Sequence, residues 1–180
     1  MTPSDPENRS PGLDALGLGE VFHLAFAVSD LHDAMGAYQS LAGGTRTDPA
    51  DLEALVHAPL LSSEPIRIRG RVCWLVGNHP PIEFWQGEPG SPWHSDRPGM
   101  DFHHVAYYVD DLDDAATALR ASGFEMEFTP YHRGDGILGF AYLRHPGGLR
   151  VEIQGSADRA AMEAWMRGEP LVIDWFDELQ

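Results

Sequence analysis

The chain has 180 residues, which suits one domain or two half-domains that share a core. Its composition, 43% apolar and 22% charged, is that of a globular protein, and no apolar run approaches the roughly 18 residues that cross a bilayer. Twelve basic and 28 acidic residues leave a net charge of −16, which predicts no binding to nucleic acid or anionic membranes.

The first predicted segment, residues 1–19, is a flexible polar arm that lacks the basic and apolar regions of a secretory signal. The chain also has a single cysteine, Cys73, so an internal disulfide is excluded. We therefore expect a cytoplasmic protein.

Residues 20–86 form the first predicted module. A period-two alternation over 21–28 predicts a strand, and Ser29 or Asp30 caps a helix that stops at Gly43-Gly44. Shorter strands follow near 66–76 and 81–86. The acidic, leucine-containing stretch within 45–65 is interpreted as an extra helix.

A linker rich in glycine and proline, residues 87–101, leads to the second module, residues 102–155. It repeats the strand and helix, with strands near 124–129, 137–143 and 149–154. The tail, 156–180, has helical spacing over 160–166 and ends in an apolar patch, Val172, Trp175 and Phe176. We expect the tail to pack at the sheet edge or between subunits.

An internal repeat links the two modules. HLAFAVSDL at 23–31 returns as HVAYYVDDL at 104–112, and each copy opens with a histidine on a strand and ends with an acidic helix cap. Each copy is followed by a glutamate inside an apolar triplet, at 82–84 and at 151–153. A repeat that duplicates two metal-ligand types at matching places predicts both a fold and a site.

Strand alternation puts the large apolar residues of four strands on one face, under the helices. The opposite, concave face then receives His23, Glu83, His104 and Glu152. Two imidazoles and two carboxylates suit a divalent first-row metal and leave coordination positions open. A metal would also explain how buried carboxylates stay ionised, since burial without a cation is costly.

The segments HLAFAVSDL, IEFWQ, HHVAYYVDDL and FAYLRHPGGLRVEIQ resemble the vicinal oxygen chelate superfamily, the glyoxalase, bleomycin-resistance and extradiol-dioxygenase group. The resemblance covers about residues 20–155 and is closest in style to glyoxalase I and methylmalonyl-CoA epimerase-like members. It implies an α+β fold of two βαβββ modules in tandem, forming a curled mixed sheet around a metal site. The family's ligand positions fall on His23, Glu83, His104 and Glu152.

The resemblance implies one divalent ion per chain (Ni, Co, Zn, Mn or Fe) and an isomerase, epimerase or lyase acting on a small-molecule substrate. The enzyme would remove a proton next to a carbonyl, with Glu152 as the first candidate base and Glu83 as the second. Two alternatives stay open: an iron-dependent dioxygenase of the same fold, and a non-catalytic drug-binding or resistance protein.

Other residues are candidates for substrate binding. Arg150 would hold a substrate anion or pair with an acid, Tyr108 and Trp85 would line the pocket, and His132 and Arg133 lie in a loop expected over the site. The modules could close on each other, or on those of a second chain in a homodimer.

Overall fold

The computed structural model describes residue 16, residues 18–77 and residues 80–172. The predicted Trp175 and Phe176 patch and most of the predicted arm lie outside these residues. The described residues form nine strands and three α-helices: β1 Val21–Val28, α1 Leu31–Ala42, β2 Thr45–Arg46, β3 Ala50–His57, β4 Ile66–Val76, β5 Ile82–Gly87, β6 Met100–Val109, α2 Leu112–Ala121, β7 Glu125–Pro130, β8 Phe140–Arg144, β9 Arg150–Gly155 and α3 Arg159–Met166.

The first module is formed by β1, α1 and the strands up to β5. The Asp30 side chain caps α1 by accepting a hydrogen bond from the Asp33 amide at 2.8 Å. Leu31 and Met35 on α1 pack with Phe84 of β5 in one buried cluster beneath the helix. The predicted strand, cap and helix of this module are therefore confirmed.

The extra helix expected within residues 45–65 is wrong, because this stretch forms β2 and β3. Alanine, leucine and glutamate favour helices in isolation, but here burial alternates with a period of two, and Ala54 and Val56 are buried. Glu53 on the outer face forms ion pairs with Arg67 and Arg69 on β4, the antiparallel neighbour. Strand pairing overrides the local helix propensity.

The second module repeats this plan with β6, α2 and β7–β9. Asp111 caps α2, and its side chain accepts from the Asp114 amide at 2.9 Å. Leu119 of α2 packs over Val151 and Ile153 of β9. Leu18, at the end of the predicted arm, is buried in the same cluster, so this part of the arm belongs to the core.

Two strand pairings join the modules within one chain. β1 pairs with β6 in antiparallel fashion, and β3 pairs with β7 through Val56–Pro130 and His57–Thr129. The pairing of β4 with β5 completes a closed ring of eight strands, to which β2 adds beside β4. The barrel-like sheet has its large apolar residues under α1 and α2, and its inner face is left for the site.

The segment from α3 to Leu171 packs against the inner cluster of the barrel. Trp165 meets Trp74 edge to face at 5.5 Å between ring centroids, and Met162 and Met166 are buried beside it. The helix predicted for the tail is confirmed, but it packs on the barrel interior and not at the sheet edge. Among the described residues, no helix has the length and apolar character needed to span a bilayer.

Candidate metal centre

Strand register brings the four predicted ligands together. β1 runs antiparallel to β6, so that His23 lies opposite Ala106 and Ala25 lies opposite His104. The parallel neighbours then set Glu83 beside Ala25 and Glu152 beside Ala106. The two alanines at the centre leave the volume into which all four longer side chains reach.

The donor atoms of the four residues all lie within 4.8 Å of one another, and all four residues are buried. Within each module the Nε2–Oε2 distance is 3.3 Å for His23–Glu83 and 2.8 Å for His104–Glu152. The Nε2 atoms of the two histidines are 2.8 Å apart. Donors about 2.1 Å from one metal ion lie about 3 Å from each other, so the cluster fits a single coordination sphere.

A hydrogen-bond relay, from the Pro92 carbonyl through His103, fixes the orientation of His104. The carbonyl of Pro92 lies 2.8 Å from Nε2 of His103 and can only accept, so His103 donates there and its Nδ1 becomes an acceptor. His104 Nδ1, at 2.7 Å, then donates to His103. This tautomer, assigned from the hydrogen-bond network, leaves Nε2 of His104 with a lone pair aimed at the cluster.

The electrostatics of the cluster also suit a cation. The lone pair of His104 Nε2 faces Oε2 of Glu152 at 2.8 Å, an arrangement that requires a proton or a metal ion between two acceptors. Burial opposes charge on His23, yet the carboxylates of Glu83 and Glu152 raise its pKa above the ordinary value. Burial, with the charge of His23, holds the pKa of His104 well below its usual range. The donor set therefore fits one divalent ion.

Each carboxylate has an aromatic hydrogen-bond donor. Trp85 Nε1 donates to Oε2 of Glu83 at 2.5 Å from the same strand. Tyr142 lies directly across the sheet from Glu152 and donates its hydroxyl to that carboxylate. Burial raises the pKa of Glu152, while the Tyr142 hydroxyl acts in the opposite direction.

A cavity of about 60 Å³ adjoins the cluster. Glu83 and Glu152 line it together with Gln154, whereas the two histidines are not among its described lining residues. The other walls are apolar or aromatic and come from both modules and the C-terminal segment, namely Leu52, Ala54, Trp85, Trp93, Phe140, Tyr142, Met162, Trp165 and Leu171. The carboxylates thus present their oxygens to any molecule in the cavity.

Of the predicted substrate-binding residues, Trp85 lines this cavity. Arg150 forms a two-point ion pair with Glu127, at 2.5 and 2.8 Å, so it pairs with an acid as one interpretation expected. Tyr108 stacks on Phe22 at 4.1 Å between centroids, and burial raises its pKa above the ordinary value. Neither Arg150 nor Tyr108 is among the described residues that line the cavity.

The loop expected over the site, which carries His132 and Arg133, lies against α2. At Gly136, where φ is 83°, an added Cβ would lie 2.5 Å from the Asp113 side chain of α2. His132 bonds within its own loop, through Nε2 to the Gly136 carbonyl at 3.0 Å. Within the described part of the chain, neither predicted residue contributes to the cavity wall, and their substrate contact stays a prediction.

Sequence reasoning missed Tyr142, the Pro92 carbonyl and the role of α3. Tyr142 could have been found, because it shares the inner face of its strand with Phe140 and precedes the Glu152 strand in a hairpin. The contact of Pro92 with His103 could not have been predicted, because Pro92 lies in a loop whose sequence has no periodic pattern.

Comparison with known proteins identifies the family of the chain. Residues 22–142 match the family described as the Glyoxalase/Bleomycin resistance protein/Dioxygenase superfamily. The chain belongs to this superfamily. No curated protein matches the sequence.

Two of the matching solved structures, each with a TM-score of 0.50, share the fold. Methylmalonyl-CoA epimerase from Mycobacterium tuberculosis aligns with a TM-score of 0.50 and 23% identity, over 81% of this chain and 93% of that one. A variant of 4-hydroxymandelate synthase from Streptomyces coelicolor aligns with a TM-score of 0.50 and 19% identity, over 77% of this chain and 39% of that one. A Streptomyces coelicolor methylmalonyl-CoA epimerase variant in complex with 2-nitronate-propionyl-CoA gives a TM-score of 0.47 at 19% identity, over 78% and 99%.

Proposed function

We propose that the chain is a divalent-metal-dependent isomerase, epimerase or lyase that removes a proton next to the carbonyl group of a small oxygenated substrate. The observation that carries the proposal is the convergence of two imidazoles and two carboxylates within 4.8 Å inside a closed barrel. A bound divalent ion would polarise the substrate carbonyl and stabilise the negative charge that develops on its oxygen.

Side chains of the protein would supply the metal ligands, the base and the groups that position the base. His23 and His104 supply nitrogen ligands from behind the cavity wall, while the carboxylates face the cavity. Glu152 is the first candidate to accept the proton, and Tyr142 orients it through their hydrogen bond. Glu83, held by Trp85, is the second candidate. The apolar walls limit access of water to the carbanion.

The test separates metal binding from proton transfer. Glu152→Gln keeps an oxygen ligand but removes the base, so we expect the purified variant to retain a metal ion while exchange of the substrate α-proton into deuterated water falls by about 10²–10⁴-fold. Elemental analysis and proton NMR with a panel of α-hydroxy carbonyl compounds measure the two effects. Glu125→Gln, an exposed carboxylate on β7, is the matched control.

Two results would contradict the proposal. Wild-type protein that holds no divalent metal after loading would remove its basis. Full exchange activity in Glu152→Gln would assign the base elsewhere, with Glu83→Gln as the next variant to measure.

A non-catalytic binding protein is the second candidate function. The lining of the cavity is mostly apolar and aromatic and includes the stacked pair of Trp85 and Trp93, with centroids 3.9 Å apart, so it suits sequestration of a small apolar molecule. Saturable binding of such a molecule that continues unchanged after metal removal would favour this candidate.

A further inference from the structure

The cavity beside the cluster holds negative and neutral groups only. Its charged and amide lining residues are Glu83, Glu152 and Gln154, Tyr142 adds a neutral hydroxyl, and no arginine, lysine or histidine is among its described lining residues. A phosphate or carboxylate on a ligand would therefore leave water without meeting a counter-charge in the walls, which is strongly unfavourable.

Nearby arginines are already engaged. Arg150 pairs with Glu127 through two hydrogen bonds and also approaches the His103 carbonyl at 3.4 Å. Arg159 places its guanidinium 4.3 Å from the centre of the Tyr108 ring. The net charge of −16 further opposes the approach of an anion.

The charges at the centre balance without an anionic substrate. Two carboxylates offset a divalent ion, so the occupied site is neutral. When Glu152 takes a proton from the substrate carbon, the C–H electron pair moves into the enolate and the proton neutralises the carboxylate. With a neutral substrate the total charge of the site is therefore zero before and after the transfer, whereas an anionic substrate would leave a net negative charge in the cavity at every stage.

The size of the cavity sets a second limit. An apolar cavity of about 150 Å³ accommodates benzene, whereas this one measures about 60 Å³. The C-terminal segment closes one wall through Met162, Trp165 and Leu171, and Trp165 is held against Trp74. The side chain of Trp165 is the largest that this segment contributes to the wall.

We propose that the substrate is a small uncharged carbonyl compound with no phosphate, carboxylate or coenzyme A group, and that Trp165 sets its maximum size. This inference rests on the proposed function, because it assumes that the substrate occupies the cavity beside the metal ligands.

The experiment compares ligands of similar size and different charge on the full-length, Zn²⁺-loaded protein. Hydroxyacetone is the neutral probe, and pyruvate and dihydroxyacetone phosphate are the anionic ones. Binding is followed by the fluorescence of the cavity tryptophans, and proton NMR in deuterated water reports exchange at the substrate carbon. We expect the Kd of hydroxyacetone to be at least about tenfold lower than that of either anion.

The outcomes separate the substrate class from the proposed function. Preference for hydroxyacetone with deuterium exchange supports both, and the same preference without exchange supports the substrate class while contradicting proton abstraction. Tighter binding of either anion, or no saturable binding of any probe, overturns the substrate class. Exchange at a preferred anion would leave the proposed proton transfer standing.

The size limit has its own variant pair. Trp165→Ala should improve the affinity for 2-hydroxyacetophenone relative to hydroxyacetone by at least about tenfold, because the ring fills the volume that the indole leaves. Arg167→Ala, an exposed change on the same segment, should leave this ratio unaltered. An unchanged ratio in a folded Trp165→Ala protein would overturn the size limit.

Discussion

The two modules place the same ligands but support them differently. Histidine and glutamate occupy matching register positions in each, and an aromatic ring packs edge-on against each histidine, Trp74 at 4.9 Å from His23 and Tyr142 at 4.8 Å from His104. In the second module, Tyr142 also bonds to its glutamate, whereas Trp74 Nε1 has no partner among the described residues.

The Nδ1 atoms of the two histidines also differ in their hydrogen-bond partners, and again the second module has the additional contact. His104 Nδ1 donates to His103, which is anchored by Pro92, while Nδ1 of His23 is buried without a partner in the described part of the chain. The repeat places Phe22 where the second module has His103. Duplication of a module therefore copies ligand positions, whereas orientation depends on residues that are not duplicated. We expect the second module to hold its ligands more rigidly.

Removal of either histidine should have the largest effect. His23→Ala and His104→Ala each delete one ligand, and we expect metal affinity to fall by more than about 100-fold in both, beyond the loss that outer partners cause. Competition with a chromophoric chelator measures the affinity. A variant that keeps wild-type affinity would show that only one module binds the metal.

The sequence alone predicts the convergence of the four candidate ligands and the strand and helix order of the two modules. A period-two alternation of apolar residues indicates a strand directly. This pattern surrounds His23 and His104, and the apolar triplets around Glu83 and Glu152 fit it as well, so all four residues are placed on strands. The helix expected within residues 45–65 is wrong, because the helix-favouring residues of Ala50–His57 form a strand through pairing with β4 and β7.

Contacts between distant segments were beyond prediction. The Pro92 carbonyl reaches His103 from a loop, and Trp165 reaches Trp74 from the tail. Neither contact has a local pattern, because each depends on how the closed barrel positions its loops and its C-terminal segment.

A change at the outer partner of His104 should have the next largest effect. His103→Phe gives the second module the residue that the first module carries, and we expect metal affinity to fall by about 10–100-fold because His104 loses its fixed tautomer. Isothermal titration with Zn²⁺ measures the change. Leu41→Ala, at an exposed position on α1, is the control. Unaltered affinity in a folded His103→Phe protein would mean that the relay does not orient the ligand.

Arg150 marks another asymmetry, because the position two residues before the glutamate ligand is Pro81 in the first module. The pair of Arg150 and Glu127 is mostly buried, with 15% and 11% of the side chains exposed. Arg150→Gln removes both hydrogen bonds to the Glu127 carboxylate and leaves it only the more distant Arg144, at 4.0 Å, so we expect the free energy of unfolding to fall by about 2 kcal/mol. Denaturant unfolding of metal-free protein measures this. Arg71→Gln, in an exposed pair with Asp51, should change stability little. Undiminished stability in Arg150→Gln would show that folding does not need the ion pair. The substrate contact predicted from the sequence would then be the role to test for Arg150.

The smallest effect is expected at the two aromatic residues that face the glutamates across the sheet. Tyr142→Phe removes the hydroxyl that lowers the pKa of Glu152, so that pKa should rise and the base should ionise only at higher pH. The ascending limb of the exchange rate against pH should therefore move to higher pH, and the rate at neutral pH should fall by about tenfold.

Trp74→Phe is the counterpart in the first module. It should lower stability, because a buried ring shrinks, but should leave the position of the pH profile unchanged, since Trp74 makes no hydrogen bond to Glu83 among the described contacts. Equal shifts in the two variants would show that packing, and not the Tyr142 hydroxyl, distinguishes the modules.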